Sequence, residues 1–275
     1  MLFQRVLSGF IIAATILAVT LNEFVLDIFL AIIIILALYE VYKPFGLMKK
    51  LPLAVLGFSL ALCFAFGDLK YSNFTTPLIC GYVMLMFILA ICYHKTIKFP
   101  DIALLLFTTI YIALFLAHIR LLKDENFGSY LIYSVFIGAW ATDTGAYFSG
   151  MHFGKNKLIP EISPNKTVEG AVGGMVFTII SFVAYGFVLE FFLNLNFPIS
   201  YTINFINIAL LGLVSSIAAQ VGDIAASMIK RELGIKDYGN ILPGHGGILD
   251  RFDSVIFVAP VVYYFVLVIP IIITR

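Results

Sequence analysis

Apolar runs alternate with short polar breaks along nearly the whole chain. Nine hydrophobic segments fall at about residues 8–22, 25–42, 52–67, 75–93, 100–118, 129–149, 171–190, 206–226 and 253–273. A helix needs about 20 residues to cross roughly 30 Å of hydrocarbon, so most of these runs predict transmembrane helices. The first and third are short for a full crossing and predict tilted or incomplete spans. Charge, Pro, Gly or Asn marks the breaks, as between Tyr42 and Pro52, His94 and Pro100, Arg120 and Gly128, and Asn194 and Asn204. The fold class expected is all-α, a polytopic transmembrane helical bundle with about nine membrane segments.

Composition supports this reading. Hydrophobic residues make up 61% of the chain and charged residues only 12%, against about 25% charged in an ordinary soluble domain. The 27 Phe and 14 Tyr suit lipid-facing and interfacial surfaces. A net charge of +1, with no nucleic-acid-binding motif, leaves no reason to expect DNA or RNA as a partner. Cys63, Cys80 and Cys92 lack redox or metal-site spacing and are expected to be buried, inert thiols. The run from Gly9 follows Arg5 but has no clear small-residue cleavage site, which predicts a retained first span.

Charge placement orients the bundle. With the N-terminus in the cytoplasm, only Lys70, Arg120, Lys123 and Arg275 of the 17 Lys and Arg fall outside, the bias the positive-inside rule expects. Nine crossings then put the C-terminus outside. The two longest inner polar regions, about 150–170 and 227–252, lie on the same side of the membrane and are the natural place for chemistry.

Several residues there need a reason to exist. Asp143 interrupts the apolar IGAWATDTGAYFSG, where a carboxylate is costly unless it meets water, a partner or an ion. It either faces the bundle interior or reaches interfacial water from a helix end. Asp223 follows IALLGLVSSIAAQVG, with Ser227 about one helical turn later and Lys230 about two, so a continuing helix sets all three on one face. That face would meet a charged ligand or form an Asp223 to Lys230 network.

The next segment supplies Arg231, Lys236 and Asp237 before a PGHGG turn, in which Gly244, Gly246 and Gly247 permit left-handed backbone and close approach to an anion. Such turns are also common as plain connections. His245 would act in proton transfer, bond a phosphate or fix the loop. Asp250 and Asp253 are three residues apart, with Arg251 between them. Asp253 either favours the positive end of a helix or serves the site directly. Asp250 would bind Mg²⁺ together with Asp223 if the intervening loop folds back, since that cation prefers hard oxygen ligands. In ISPNKTVEGA, Lys166 and Thr167 offer anion contacts and Glu169 a positioning group, or the stretch simply caps a helix.

Taken in order, Ser227, Lys230, Arg231, Lys236, Asp237, Gly239, Leu242, Pro243, His245, Gly246, Gly247, Asp250, Arg251 and Asp253 closely resemble the signature of the phosphatidate cytidylyltransferases, or CDP-diacylglycerol synthases. The segments around Asp143 and from Ser163 to Gly170 extend the resemblance. It implies a polytopic helical enzyme that condenses CTP with phosphatidic acid to give CDP-diacylglycerol and pyrophosphate. It also implies a divalent cation, commonly Mg²⁺, a homodimer, and an active site on the cytoplasmic side of a bacterial inner membrane. On this chain Asp223 and Asp250 stand as the metal-associated acids, and Lys230 and Arg231 as phosphate-handling residues. The family often has a second Lys where this chain carries Asn165, so one cationic contact is expected to be absent or replaced.

Residues 1–128 are thus read as N-terminal membrane helices, and 129–275 as a catalytic membrane region continuous with them. The alternatives are a CTP-dependent lipid-alcohol kinase, which would release CDP, a transporter using its embedded acids, and a structural assembly protein with a vestigial site.

Overall fold

A computed structural model describes residues 22–67, 72–239 and 246–274. The segment expected at 8–22, apart from its last residue, lies outside these residues, as do Gly244 and His245. The described chain is mostly helical, and six of its helices are long and apolar enough to cross a membrane. Helices appear at the eight other segments expected from the sequence. The protein is an integral membrane protein on the strength of those spans.

The chain divides into two compact units, one holding residues up to Asp124 with Leu233–Phe252, the other Glu125–Glu232 with Asp253–Arg275. In the first unit α1 (Glu23–Tyr42) is followed by a 3-10 turn at Leu47–Lys49, α2 (Leu51–Phe66), α3 (Ser72–Cys92) and α4 (Phe99–Lys123). A π-helical turn at Ile110–Leu114 lies within α4. Asn22 caps α1 by accepting the Val25 N–H at 3.2 Å, and Pro52 and Pro100 sit in the first turns of α2 and α4, where a missing N–H costs nothing. α2 has 16 residues, about 24 Å of helix, short of the roughly 30 Å hydrocarbon core as expected.

Lipid is as apolar as leucine, so these helices associate by close packing and internal polar bonds more than by escape from water. Leu30, Ile34, Leu38, Leu60, Phe64 and Leu105 are fully buried. Among them the Tyr42 and Thr109 hydroxyls hydrogen-bond at 2.5 Å. Arg120 clamps one end of the unit: its Nε lies 3.0 Å from Asp27 and it donates to the Gly67 carbonyl at 2.8 Å. Lys50 pairs with Asp101 at the other end. Among the described residues little of α3 is buried, and Cys80 and Cys92 are exposed on it, against the expectation of buried thiols.

The second unit contains α5 (Gly128–Phe153), a hairpin of β1 (Lys157–Ile159) and β2 (Ser163–Thr167), α6 (Val168–Asn196), β3 (Tyr201–Ile203), α7 (Phe205–Glu232), α8 (Leu249–Val268, from Asp253 onward) and β4 (Ile272–Thr274). The segment expected to run to residue 273 stops as a helix at Val268. Pro270 has no N–H to continue it, and Ile272–Thr274 pairs antiparallel with Tyr201–Ile203 instead.

Small residues set how closely α5 and α6 approach. A Cβ on Gly145 would lie 2.6 Å from the Phe177 Cβ, one on Gly170 2.9 Å from the Ala146 carbonyl oxygen, and one on Gly174 3.0 Å from the Thr142 carbonyl oxygen. Across this seam the Thr142 and Thr178 hydroxyls bond at 2.8 Å. Substituting Gly174 by Ala is therefore expected to cost about 1–3 kcal/mol through overpacking. A Cβ on Gly81 of α3 would meet nothing within 4 Å, so Gly81→Ala should hold or raise stability. Thermal unfolding midpoints in detergent would show the contrast.

Candidate functional site

Helix α7 runs unbroken to Glu232, so Asp223, Ser227 and Lys230 share one face, as their spacing requires. Gly222, just before Asp223, lets α8 come close: a Cβ there would sit 2.6 Å from the Asp253 carbonyl oxygen and 2.9 Å from the Phe257 ring. Asp253 is buried at 8% exposure, within electrostatic reach of Asp223, Asp143 and Lys230. One of its oxygens accepts the Ser254 N–H at 2.8 Å, and the Ser254 hydroxyl reaches both Asp143 oxygens at 3.4 Å.

Of these groups Asp143 and Asp223 line a cavity of about 520 Å³ in the second unit, together with Thr142, Tyr147, Met151, Ser163, Asn165, Lys166, Thr167 and Gln220 among others, while Ser227, Lys230, Asp253 and Ser254 are not part of its lining. Its size falls in the range of small-molecule sites, roughly 300–1,000 Å³. Lys166 and Asp223 form an ion pair across it, Nζ to Oδ2 at 2.7 Å. The Nζ is shielded from solvent, and pairing with one carboxylate oxygen leaves an ammonium, which has three donors, with capacity for another anion. Spacing alone offered Asp223 either a shared charged ligand or a network with Lys230; the structure adds an ion pair with Lys166.

The β1–β2 hairpin delivers Lys166 to this place. Thr167 caps α6 by accepting the Gly170 N–H at 3.1 Å. Glu169 closes the hairpin base, its carboxylate accepting the backbone N–H of Lys155 at 3.0 Å, that of Asn156 at 3.2 Å and the Asn156 side-chain amide at 2.8 Å. Its oxygens are thus engaged by the fold, and it does not line the cavity. Arg231 donates from Nε to the Ile162 carbonyl at 3.2 Å, fastening the end of α7 to the hairpin turn.

Lys236, Asp237, Gly246, Gly247, Asp250 and Arg251 belong to the first unit. Gly246 has φ of +82°, a left-handed backbone that favours glycine. Asp250 Oδ2 accepts the N–H of Gly247 at 3.0 Å and of Tyr238 at 2.9 Å, so the Gly247 N–H is engaged by a carboxylate. Lys236, Asp237 and Arg251 are exposed.

Sequence reasoning missed two residues here. Gln220 donates to the Ala171 carbonyl at 3.1 Å, joining α7 to α6 beside the cavity. Glu40, at 2% exposure, accepts the N–H of Ile248 at 3.0 Å and of Leu249 at 2.9 Å. Its signal was present: no other charged residue follows Asp27 in α1, and Glu40 is as anomalous in its apolar run as Asp143 in its own.

The profile of the cytidylyltransferase family matches residues 3–269. Over 273 residues the chain is 35% identical to a phosphatidate cytidylyltransferase of Bacillus subtilis (strain 168), covering 95% of this chain and 96% of that protein. Proteins of the same name from Staphylococcus haemolyticus (strain JCSC1435) and Staphylococcus aureus (strain COL) are 41% and 40% identical over 163 residues, covering 59% of this chain and 58% of each relative. An acid-and-base-lined cavity in a helical membrane protein, together with similarity running almost end to end, places this chain in the cytidylyltransferase family.

Proposed function

We infer that this chain is a phosphatidate cytidylyltransferase, joining CTP and phosphatidic acid into CDP-diacylglycerol with release of pyrophosphate. The observation that carries the reading is the Lys166–Asp223 pair on the wall of a cavity set among lipid-spanning helices. A phosphate-rich nucleotide needs fixed cations, and a lipid headgroup needs a site its acyl chains can reach without leaving the bilayer.

In this reading an oxygen of the phosphatidate phosphomonoester bonds to the α-phosphorus of CTP. The bond from that phosphorus to the bridging oxygen of the β-phosphate breaks, and pyrophosphate departs. The attacking group is already anionic near neutral pH, so no strong general base is required and His245 need not be one. Lys166 turns its spare donors to phosphate oxygens, while Lys230, Arg231 and Lys236 add positive charge along the chain from α7. Arg231 does so with its guanidinium already anchored by Ile162, which limits its freedom.

Carboxylate oxygens are the donor set Mg²⁺ prefers. Among the described residues no three His, Cys, Asp or Glu side chains converge as a metal-holding group. Asp143, Asp223 and Asp253 offer such oxygens near one another in the second unit, and one or two carboxylates completed by substrate phosphates is the usual habit of Mg²⁺. Asp223 and Asp250 are the acids we assign to it, with Asp143 and Asp253 as neighbours of Asp223. When bound, the ion would offset the charge of the triphosphate.

A cytoplasmic site facing inward from a bacterial inner membrane belongs to the same reading. It is supported within the first unit, where the end that carries Lys43, Lys49, Lys50 and Lys98 is also the end at which Glu40 meets Ile248 and Leu249. The homodimer rests on the family resemblance alone.

Purified protein given CTP, phosphatidate and Mg²⁺ should form CDP-diacylglycerol and pyrophosphate in equal amounts. CDP as the nucleotide product would instead establish a lipid kinase, and the absence of any turnover beside an active control would remove the assignment. Asp223→Asn and Lys166→Met should each lower kcat by about 100-fold or more. Because the two side chains are in contact, the double variant should depart from the product of the two single effects. Chelation with EDTA should abolish turnover, and added Mg²⁺ should restore it.

A further inference from the structure

Glu40 has no part in the chemistry above, yet it is placed with more constraint than most residues of the first unit. It lies near the end of α1, 2% exposed, and its two oxygens each take a backbone N–H from the start of α8, Ile248 at 3.0 Å and Leu249 at 2.9 Å. Gly247, the residue before them, gives its own N–H to Asp250. Three successive amides at the head of α8 are therefore engaged by two carboxylates, one local and one from a distant helix.

The backbone around Glu40 leaves space for nothing larger than glycine. A Cβ on Gly247 would lie 2.5 Å from Glu40 Oε2, and one on Gly239 2.8 Å from its Cδ. Both glycines belong to the signature stretch, and Glu40 explains why each lacks a side chain. Tyr238, between Asp237 and Gly239, donates its N–H to the same Asp250 oxygen that Gly247 holds. The turn thus closes around two carboxylates, and the plane of the Asp250 carboxylate is set by backbone that Glu40 in turn holds.

Helix capping alone is a weak reason for this arrangement. Ser, Thr, Asn or Asp beside the helix caps it with a short side chain, and Asp250 already takes part of that role locally. Burying a glutamate from another helix carries a desolvation cost that a local cap avoids. What the remote carboxylate adds is registration of the turn against α1. We propose that Glu40 is a positioning residue for the cytidylyl transfer, fixing the Gly246–Asp250 turn so that Asp250 presents its carboxylate in one orientation. This rests on the assignment of Asp250 as an acid of the reaction.

Glu40→Gln tests it, because the amide keeps one acceptor and turns a donor toward a backbone N–H. Supporting residues of this kind are worth about 10–100-fold in activity, so kcat should fall by that factor while KM for CTP stays within about threefold. In the protein without substrate or metal, hydrogen exchange at Ile248 and Leu249 should quicken about tenfold, with the α2 amides unchanged. Gly247→Ala displaces the same carboxylate from the other side and should give the same split, which guards against a fault peculiar to one variant. If Glu40 acts through Asp250, adding Glu40→Gln to Asp250→Asn should cost nothing more.

Unchanged kcat and exchange in Glu40→Gln would overturn the proposal, as would a loss that adds in full to that of Asp250→Asn. Wild-type activity in Asp250→Asn alone would overturn the assignment of Asp250 and the role of Glu40 with it. Loss in Asp250→Asn beside a normal Glu40→Gln would sink only the positioning role.

Discussion

A charged group among lipid-facing helices has to find water or a partner inside the protein, and the polar architecture of this chain follows from that constraint. Lys166 answers it with Asp223, Arg120 with Asp27 and the Gly67 carbonyl, and Lys50 with Asp101. Glu40 answers it with two amides rather than a cation. Three of these four solutions lie at helix ends, where apolar runs give way to polar chain. The Lys166–Asp223 pair lies on the lining of a cavity of about 520 Å³.

Small residues make those polar encounters possible. Gly145, Gly170 and Gly174 bring α5 and α6 together tightly enough for Thr142 and Thr178 to bond. Gly222 does the same for α7 and the part of α8 that begins at Asp253. Each contact places a hydroxyl or carboxylate where a larger residue would have held the helices apart. Packing and site geometry are therefore one property in the second unit, and an added methyl group at the seam strains both.

Much of this was legible in the chain. Apolar runs located eight helices because length and hydropathy are local quantities, and Asp143 and Asp223 declared themselves by the cost of a carboxylate in such a run. Helix spacing likewise gave the shared face of Asp223, Ser227 and Lys230. What escaped depends on register between distant elements. Nothing local tells that the hairpin before α6 presents Lys166 to Asp223, or that Ile272–Thr274 pairs with Tyr201–Ile203 instead of ending a span. Glu40 was visible as an anomaly but had no partner within its own helix, and its partners lie more than 200 residues on. The exposed cysteines of α3 were misjudged because an apolar neighbourhood in sequence means burial in water but not in lipid.

The mixed signs of the cavity fit a site that must wait for its substrate. A lone ammonium shielded from solvent would carry a desolvation penalty for as long as the site stood empty. Asp223 offsets that penalty at 2.7 Å, and an ammonium with three donors keeps capacity for further acceptor oxygens beyond that one carboxylate. On the proposed reaction, an arriving triphosphate would exceed a single carboxylate in charge and in number of acceptor oxygens. Asp223 would then be free to hold a cation, whose charge would balance the phosphates. On the proposed reaction, pairing these two residues in the resting protein is a way to keep both ready, and it follows from placing a phosphate site beside lipid rather than in open water.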